Sequence, residues 1–445
     1  MYIINLDSVG TETRDVGLKA ASLGELARKG FLVPKGFVVT AEAFGKFLTD
    51  TGIGLLLPKI MEGVNQEEPG SAVSVYNQVK ELFRKFSGTD FLIRELKGAY
   101  NELSFGKDVS SAGGLALDLI RAGRGDCFVS VRPSVVCGKP VSFAGHGKAF
   151  LNMIGCRQIL AGIKGCWLSF FSPEALIYRK IHGIETVSLA VLVQKMVDSE
   201  LSGNLFTQEP VSGQEKILVE GWWGLGETLC CGCVSPDQYF IGKDGALSRR
   251  IGKKMWLRRR GPLSGQTIQE KVPASRVNME TLAERDMEKF SAIANKVEEI
   301  LKGPQHAEWA VERGRIVILQ SGPVVFSKAQ VSQAPENLDK LASGLGVSAG
   351  IARGKARAVS DFSALQKPDE PSVLVTKNLS MQILPYVGWF SGIVTEQGGA
   401  GSCMASVGRE LGVPIVTGME NAGIILQDGR EIVVDGLTGG IYAAP

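Results

Sequence analysis

Apolar positions recur at helical spacing in METLAERDMEKFSAIANKVEEILK, residues 279–302, where Leu282, Met287, Phe290, Ile293 and Val297 line one face. This is the clearest amphipathic helix in the chain. A second helix is predicted for KAASLGELARKG, ending at Gly30, with Pro34 and Gly36 marking the following turn. A longer one is expected over roughly 156–181. Around it, CFVSV, LAVLVQKMV and KILVEG read as short strands separated by Gly and Pro. AEWAVERGRIVILQSGP predicts a strand, a turn at Gly314 and a second strand. The polar stretch SKAQVSQAPENLD breaks the pattern and is the expected linker, residues 327–340. Beyond it, KARAVS, SVLVT, GIVT, PIVTG and EIVVDG alternate with one or two helices, which predicts a small α/β domain over 341–445.

Composition narrows the class. A chain of 445 residues implies two or three domains, and 44% hydrophobic against 21% charged residues permits sizeable cores. Lys plus Arg number 49 and Asp plus Glu 46, a balance that argues against nucleic acid as a partner but leaves room for a local phosphate pocket. No cationic stretch followed by an apolar run opens the sequence, and no apolar run reaches transmembrane length. A cytoplasmic protein without membrane association is therefore expected. The eight cysteines follow no disulfide framework and read as reduced thiols. Within CCGC, Cys230, Cys231 and Cys233 lack a second ligand pair at zinc spacing.

Several blocks occur in a recognisable order: VGLKAASLGELARKGFLVPKGFVVTAEAF at 16–44, VRPS near 131, SFAGHGKAFLNM at 142, LVQKMV with SGNLFTQEP, GWWGLGETLCCGCVSPDQYF at 221, and AEWAVERGRIVILQSGP at 307. Together with GIVTEQGGAGSCMASVGRELGVPIVTGMENA at 392–422, they resemble the phosphoenolpyruvate synthase and pyruvate phosphate dikinase family over nearly the whole chain. The resemblance implies an α/β (α+β) protein. An ATP-grasp nucleotide-binding domain would span 1–326, with subdomains near 1–190 and 191–326, followed by a swivelling phosphohistidine-like domain. No counterpart of the family's large C-terminal barrel is seen in the sequence, so a partner subunit supplying it, or a small-molecule acceptor, is expected; an oligomer is compatible with this.

ATP and Mg²⁺ are the implied cofactors. By the resemblance, Lys19 contacts the triphosphate, although one glycine of the family's usual pair is Leu18 here. Arg132 matches a phosphate-binding Arg at a strand end. Ser142, Ala144 and Gly145 take the place of the family's glycine-rich phosphate loop, whose small residues let amides approach. Glu308 and Gln320 flank the ERGR turn, where a hairpin places two oxygens at one edge as Mg²⁺ requires; they match the family's metal-binding pair. Gln194 and Glu220 are secondary candidates for ribose or adenine contacts.

The departures are as informative. Aligning Gly398-Gly399 and Arg409-Glu410-Leu411-Gly412 without a gap puts Cys403 at the family's carrier-histidine position, and no His occurs from 307 onward. A thiolate at a helix start is stabilised by unpaired amides and the helix dipole, so Cys403 is a phosphoryl-accepting catalytic residue, a carrier of an acyl or other electrophilic group, or an inert filler of the space. Gly322 stands where the family has an Arg that holds the γ-phosphate, and glycine supplies no charge-assisted contact. Val135-Val136-Cys137-Gly138-Lys139 replaces an acidic-threonine segment, and Glu209 an Asp; Lys139 or Lys148 are the available compensating cations. Two readings follow. One is a dikinase-like ATP-dependent phosphotransferase working through Cys403 or a partner. The other is a degenerate nucleotide-binding paralogue acting as the subunit of an active enzyme. A narrower variant transfers phosphate directly to a small molecule and leaves Cys403 aside.

Overall fold

The computed structural model describes residues 1–86, 88–106, 125–137, 142–143, 145, 147–186, 188–262, 265–329 and 338–444. Ala144, Lys139 and most of the predicted linker lie outside the described residues. Contacts divide the chain into two units, the first formed by Met1–Asp198, Arg260–Ile268 and Ile316–Ser321, the second by Ser199–Arg259, Gln269–Arg315 and Gly322–Pro445. No helix among the described residues is long and apolar enough to cross a membrane.

The first unit is built on an antiparallel sheet. Its strands run in the order Ile3–Asn5, Gly36–Val39, Ser188–Lys195, Val129–Val136, Phe150–Met153. The β-branched runs FVV and LAVLV supply the apolar positions that the sheet buries, including Val38, Val191 and Val193. Helices pack on it through an aromatic group in which Trp167 lies 5.1 Å from Phe47 and 5.5 Å from Phe44. The single helix expected over 156–181 is two helices, Gly155–Ser169 and Pro173–Ile181. Pro173 starts the second at its first turn and Ser172 caps it, which periodicity alone does not reveal.

In the second unit, Gln305–Glu312, Leu201–Phe206, Ile217–Trp223, Asp237–Ile241 and Leu247–Arg250 are successive antiparallel neighbours. Their registers line residues into rows. One row contains Trp309, Gly203, Gly221 and Asp237; the adjacent row contains Glu308, Asn204, Glu220 and Gln238. Successive side chains in a strand point to opposite faces, so these rows occupy opposite sides of the sheet. The amphipathic helix, Glu284–Leu301, covers the first face, with Phe290 packed 4.7 Å from Trp309. Gly203 is required there, because a Cβ would lie 2.4 Å from the Trp309 ring. The opposite face carries the polar row.

An eight-stranded sheet completes this unit. Its centre is parallel, with Ile351–Ala358, Ser372–Asn378, Gly392–Gln397 and Ile415–Thr417 side by side. The last two are joined through a glycine-led loop and helix Cys403–Leu411, which ends on Gly412 in the left-handed conformation.

Candidate functional site

Phosphate-binding candidates cluster in the first unit. Gly17 opens helix Gly17–Arg28 at φ +74°, and a Cβ there would lie 2.5 Å from the Ser134 hydroxyl. The same hydroxyl accepts the Ala20 amide at 3.2 Å, fixing the helix start against strand Val129–Val136. Lys19 is half-buried on the first turn, whereas Leu18 is 53% exposed. The lost glycine at 18 therefore places a side chain in solvent rather than in a packed contact. On the neighbouring strand, Arg132 donates to the Gln194 side-chain oxygen and to the Leu319 carbonyl, next to Gln320. Gln194 in turn donates to the Pro34 carbonyl at 3.1 Å. Arg132, Gln194 and the strand segment bearing Gln320 are thus brought together. Ser142 is half-buried, Gly145 is exposed at φ +69°, and the intervening Phe143 amide is held by the Tyr178 hydroxyl at 3.3 Å. Lys148 lies over the Phe150 ring, 5.4 Å from its centroid.

The second unit holds Glu308, Glu220 and Cys403. Glu308 is half-buried at the head of the polar row, directly opposite Asn204. Asn204 donates its amide to Glu220 at 3.0 Å, and its oxygen meets His306 Nε2 at 3.0 Å. Glu220, a secondary candidate for ribose or adenine contacts, accepts four N–H donors. They are Asn204, Gln238 at 2.9 Å, and the backbone amides of Ala400 at 2.8 Å and Gly401 at 3.0 Å. Burial pushes the carboxyl pKa up, and the four donors oppose that shift.

The segment that Glu220 holds is the loop preceding Cys403. Its glycines are sterically demanded: a Cβ at Gly399 would lie 2.8 Å from Glu220 Oε1, and one at Gly401 2.0 Å from Asn204 Nδ2. Cys403 is the first residue of its helix, as the sequence predicts; Ser402 caps it, accepting the Ala405 amide at 3.3 Å. Arg409, whose Arg-Glu-Leu-Gly block served as a landmark, is fully buried and anchors the loop from below. It donates to the carbonyls of Ala400 at 2.9 Å, Val325 at 2.7 Å and Val347 at 3.1 Å, and to Ser406 Oγ at 3.1 Å. Desolvation lowers its pKa to about 10.

Four cysteines depart from the expected reduced thiols: Cys230 is paired with Cys403 and Cys231 with Cys233, each pair with Cα atoms 5.4 Å apart. Chain distance hid the first pair, since 173 residues separate its members. Among the described residues, no three His, Cys, Asp or Glu side chains converge on a metal-sized site.

The order of these parts matches a known arrangement. A family profile described as "Pyruvate phosphate dikinase, AMP/ATP-binding domain" matches residues 13–342, and "PEP-utilising enzyme, mobile domain" matches 368–439. The chain belongs to the phosphoenolpyruvate synthase and pyruvate phosphate dikinase family. The probable phosphoenolpyruvate synthase of Archaeoglobus fulgidus is 34% identical over 441 residues, covering 96% of this chain and 56% of that protein. That of Methanothermobacter thermautotrophicus is 31% identical over 451 residues, covering 99% and 63%. The phosphoenolpyruvate synthase of Aeropyrum pernix is 33% identical over 477 residues, covering 96% and 56%. The chain thus spans little more than half the length of these family members.

Sequence reasoning missed Asn204 and Gln238, and used Arg409 only as an alignment landmark. The signal for the first two lay in strand alternation: polar residues flanked by Gly203, Gly221 and Asp237 fall on one face once the strands are aligned in register.

Proposed function

We propose that this chain is an ATP-dependent phosphotransferase that moves a phosphoryl group from ATP to an acceptor by way of the loop at Cys403. The observation that carries this reading is the seating of that loop on the row headed by Glu308. Strands lie about 4.8 Å apart, so Glu308 and Glu220 are separated by roughly 10 Å across the sheet. The loop that bears Cys403 is thus seated on the same face of the sheet as Glu308, which supports this reading.

Lys19 and Arg132 supply the cations for the triphosphate, and the Ser142–Gly145 segment supplies backbone amides. Glu308 and Gln320 offer hard oxygen donors. Mg²⁺ would neutralise charge on the phosphates. The chain's own part is to orient: Arg409 and Glu220 fix the loop, and Cys403 Sγ as thiolate attacks phosphorus. The phosphorus–oxygen bond to the nucleotide breaks, the sulfur–phosphorus bond forms, and the thiol proton passes to solvent. The acceptor is a small molecule or a group on a partner subunit.

A second reading, a nucleotide-binding subunit without carrier chemistry, is favoured by Gly322 and by the pairing of Cys403. The two separate experimentally. Under reducing conditions, MgATP titrated by calorimetry is expected to bind, and intact-mass analysis to show a phosphoryl adduct that Cys403→Ser lacks. Binding without an adduct supports the subunit reading. Absence of heat at millimolar MgATP removes both.

A further inference from the structure

The CCGC turn touches the mobile-domain portion of the second unit at more than one point. Cys230 ends the short helix Glu227–Cys230 beside the buried group Trp222, Leu229 and Val234. Gly232 accepts the Leu379 amide at 3.2 Å and has no room for a Cβ, which would lie 2.0 Å from the Leu379 carbonyl. Leu379 also donates to Gln397, the last residue of the strand leading into the Cys403 loop. On the other side, Glu220 grips Ala400 and Gly401. Cys230 lies two residues from the Gly232 attachment and Cys403 two residues from Gly401, so both backbones are fixed close to the sulfurs. Cys403 is 7% exposed and Cys230 half-exposed, so a small reagent reaches Cys230 first.

We propose that Cys230 and Cys403 form a reversible disulfide that fastens the glycine-led loop to the Glu220 sheet, with a low-molecular-weight disulfide as oxidant. The Cys230 thiolate attacks one sulfur of the reagent, forming a mixed disulfide and expelling one thiolate. Cys403 then attacks the Cys230 sulfur and expels the second. Two protein thiols are oxidised, one reagent disulfide is reduced to two thiols, and the two protein protons end on those thiols. A dithiol reverses the sequence. In a reducing compartment such pairs are typically transient and redox-sensing. The inference stands on the docking geometry alone. Only its consequence, that the linked sulfur has no thiolate with which to attack phosphorus, rests on the phosphotransferase reading.

The test omits ATP, so its outcome is independent of that reading. Full-length protein is incubated with glutathione disulfide or dithiothreitol, acid-quenched, and alkylated in denaturant. Cys403 is expected to be alkylated after dithiothreitol and blocked after glutathione disulfide. In the Cys231→Ser/Cys233→Ser variant, a non-reducing tryptic digest should then contain residues 217–243 linked to 378–409. Backbone amides of Ala400 and Gly401 should exchange hydrogen faster in the reduced protein. Equal alkylation of Cys403 in both states overturns the proposal. So does zinc bound in equal proportion to the protein and lost in Cys403→Ser, which would assign these sulfurs to a metal.

Discussion

The Glu220 carboxylate and the Gly401 amide are 181 residues apart in sequence and 3.0 Å apart in space. Every group around Glu220 in this contact is a donor: two side-chain amides and two backbone N–H groups. A carboxylate satisfies all four, whereas a glutamine would turn its own NH₂ towards at least one of them. Glu220→Gln is therefore expected to cost about 1–3 kcal/mol, the range for a buried donor left unsatisfied. Urea unfolding measures the loss. Hydrogen exchange at Ala400 and Gly401 should accelerate in the same variant, and unchanged exchange would show that the carboxylate does not hold the loop.

Close approach makes a second prediction. A methyl at 401 would sit 2.0 Å from Asn204 Nδ2 and 2.7 Å from Glu220 Oε2, both buried and both already hydrogen-bonded. Gly401→Ala should displace the loop and reduce stability by about 1–3 kcal/mol, as overpacking does. Gly388→Ala is the matched control, because nothing lies within 4 Å of a Cβ there. Equal melting temperatures for the two variants would contradict the fit described above.

On the opposite side of the sheet, the Asp237–Lys254 ion pair is fully buried. Asp237 also accepts the Gly252 and Thr281 amides, each at 2.8 Å, which ties two loops to the strand. Asp237→Ala would strand a buried ammonium and two amides, with an expected loss of about 3–5 kcal/mol. Lys254→Met in the Asp237→Ala background should recover part of that loss by removing the unpaired charge. A double variant no better than the single would place the main role in the amide contacts.

Sequence and structure part at the long-range contacts. Secondary elements with strong local signals were legible: the Phe290–Val297 stripe lies within a helix, and Gly314 turns a hairpin. Lys19 at a helix start and Cys403 as the first residue of another helix were legible through ordered motifs. Glu220 was visible as a candidate, yet its partner was not. The loop that meets Glu220 lies 180 residues further along the chain, and a single sequence offers no local signal for a contact made only when the two segments pack. The same holds for Cys230 and Cys403, where proximity arises only after two separate segments pack. The break at Ser172-Pro173 was written in the residues, but the apolar pattern continues across it.

Gly322 offers the most direct test of the phosphotransferase reading, because it asks whether a lost function can be restored. By the resemblance, Gly322 stands where the family has a phosphate-gripping Arg, and removing such a group from phosphoryl transfer can cost on the order of 10³-fold in rate. The backbone here does not adopt the left-handed conformation, and nothing lies within 4 Å of a Cβ, so a longer side chain has space to leave the strand. Arg132, in contrast, is committed to Gln194 and Leu319 and supplies a different contact. Gly322→Arg should therefore tighten MgATP binding and raise nucleotide turnover in the reduced protein, by about tenfold or more if the guanidinium reaches the phosphates. Gly322→Lys should restore less, since an ammonium lacks the bidentate fork. Calorimetry and a nucleotide-release assay read the two effects separately. Gains in both support a catalytic site with one part missing; a gain in affinity without turnover would assign the chain to nucleotide binding alone.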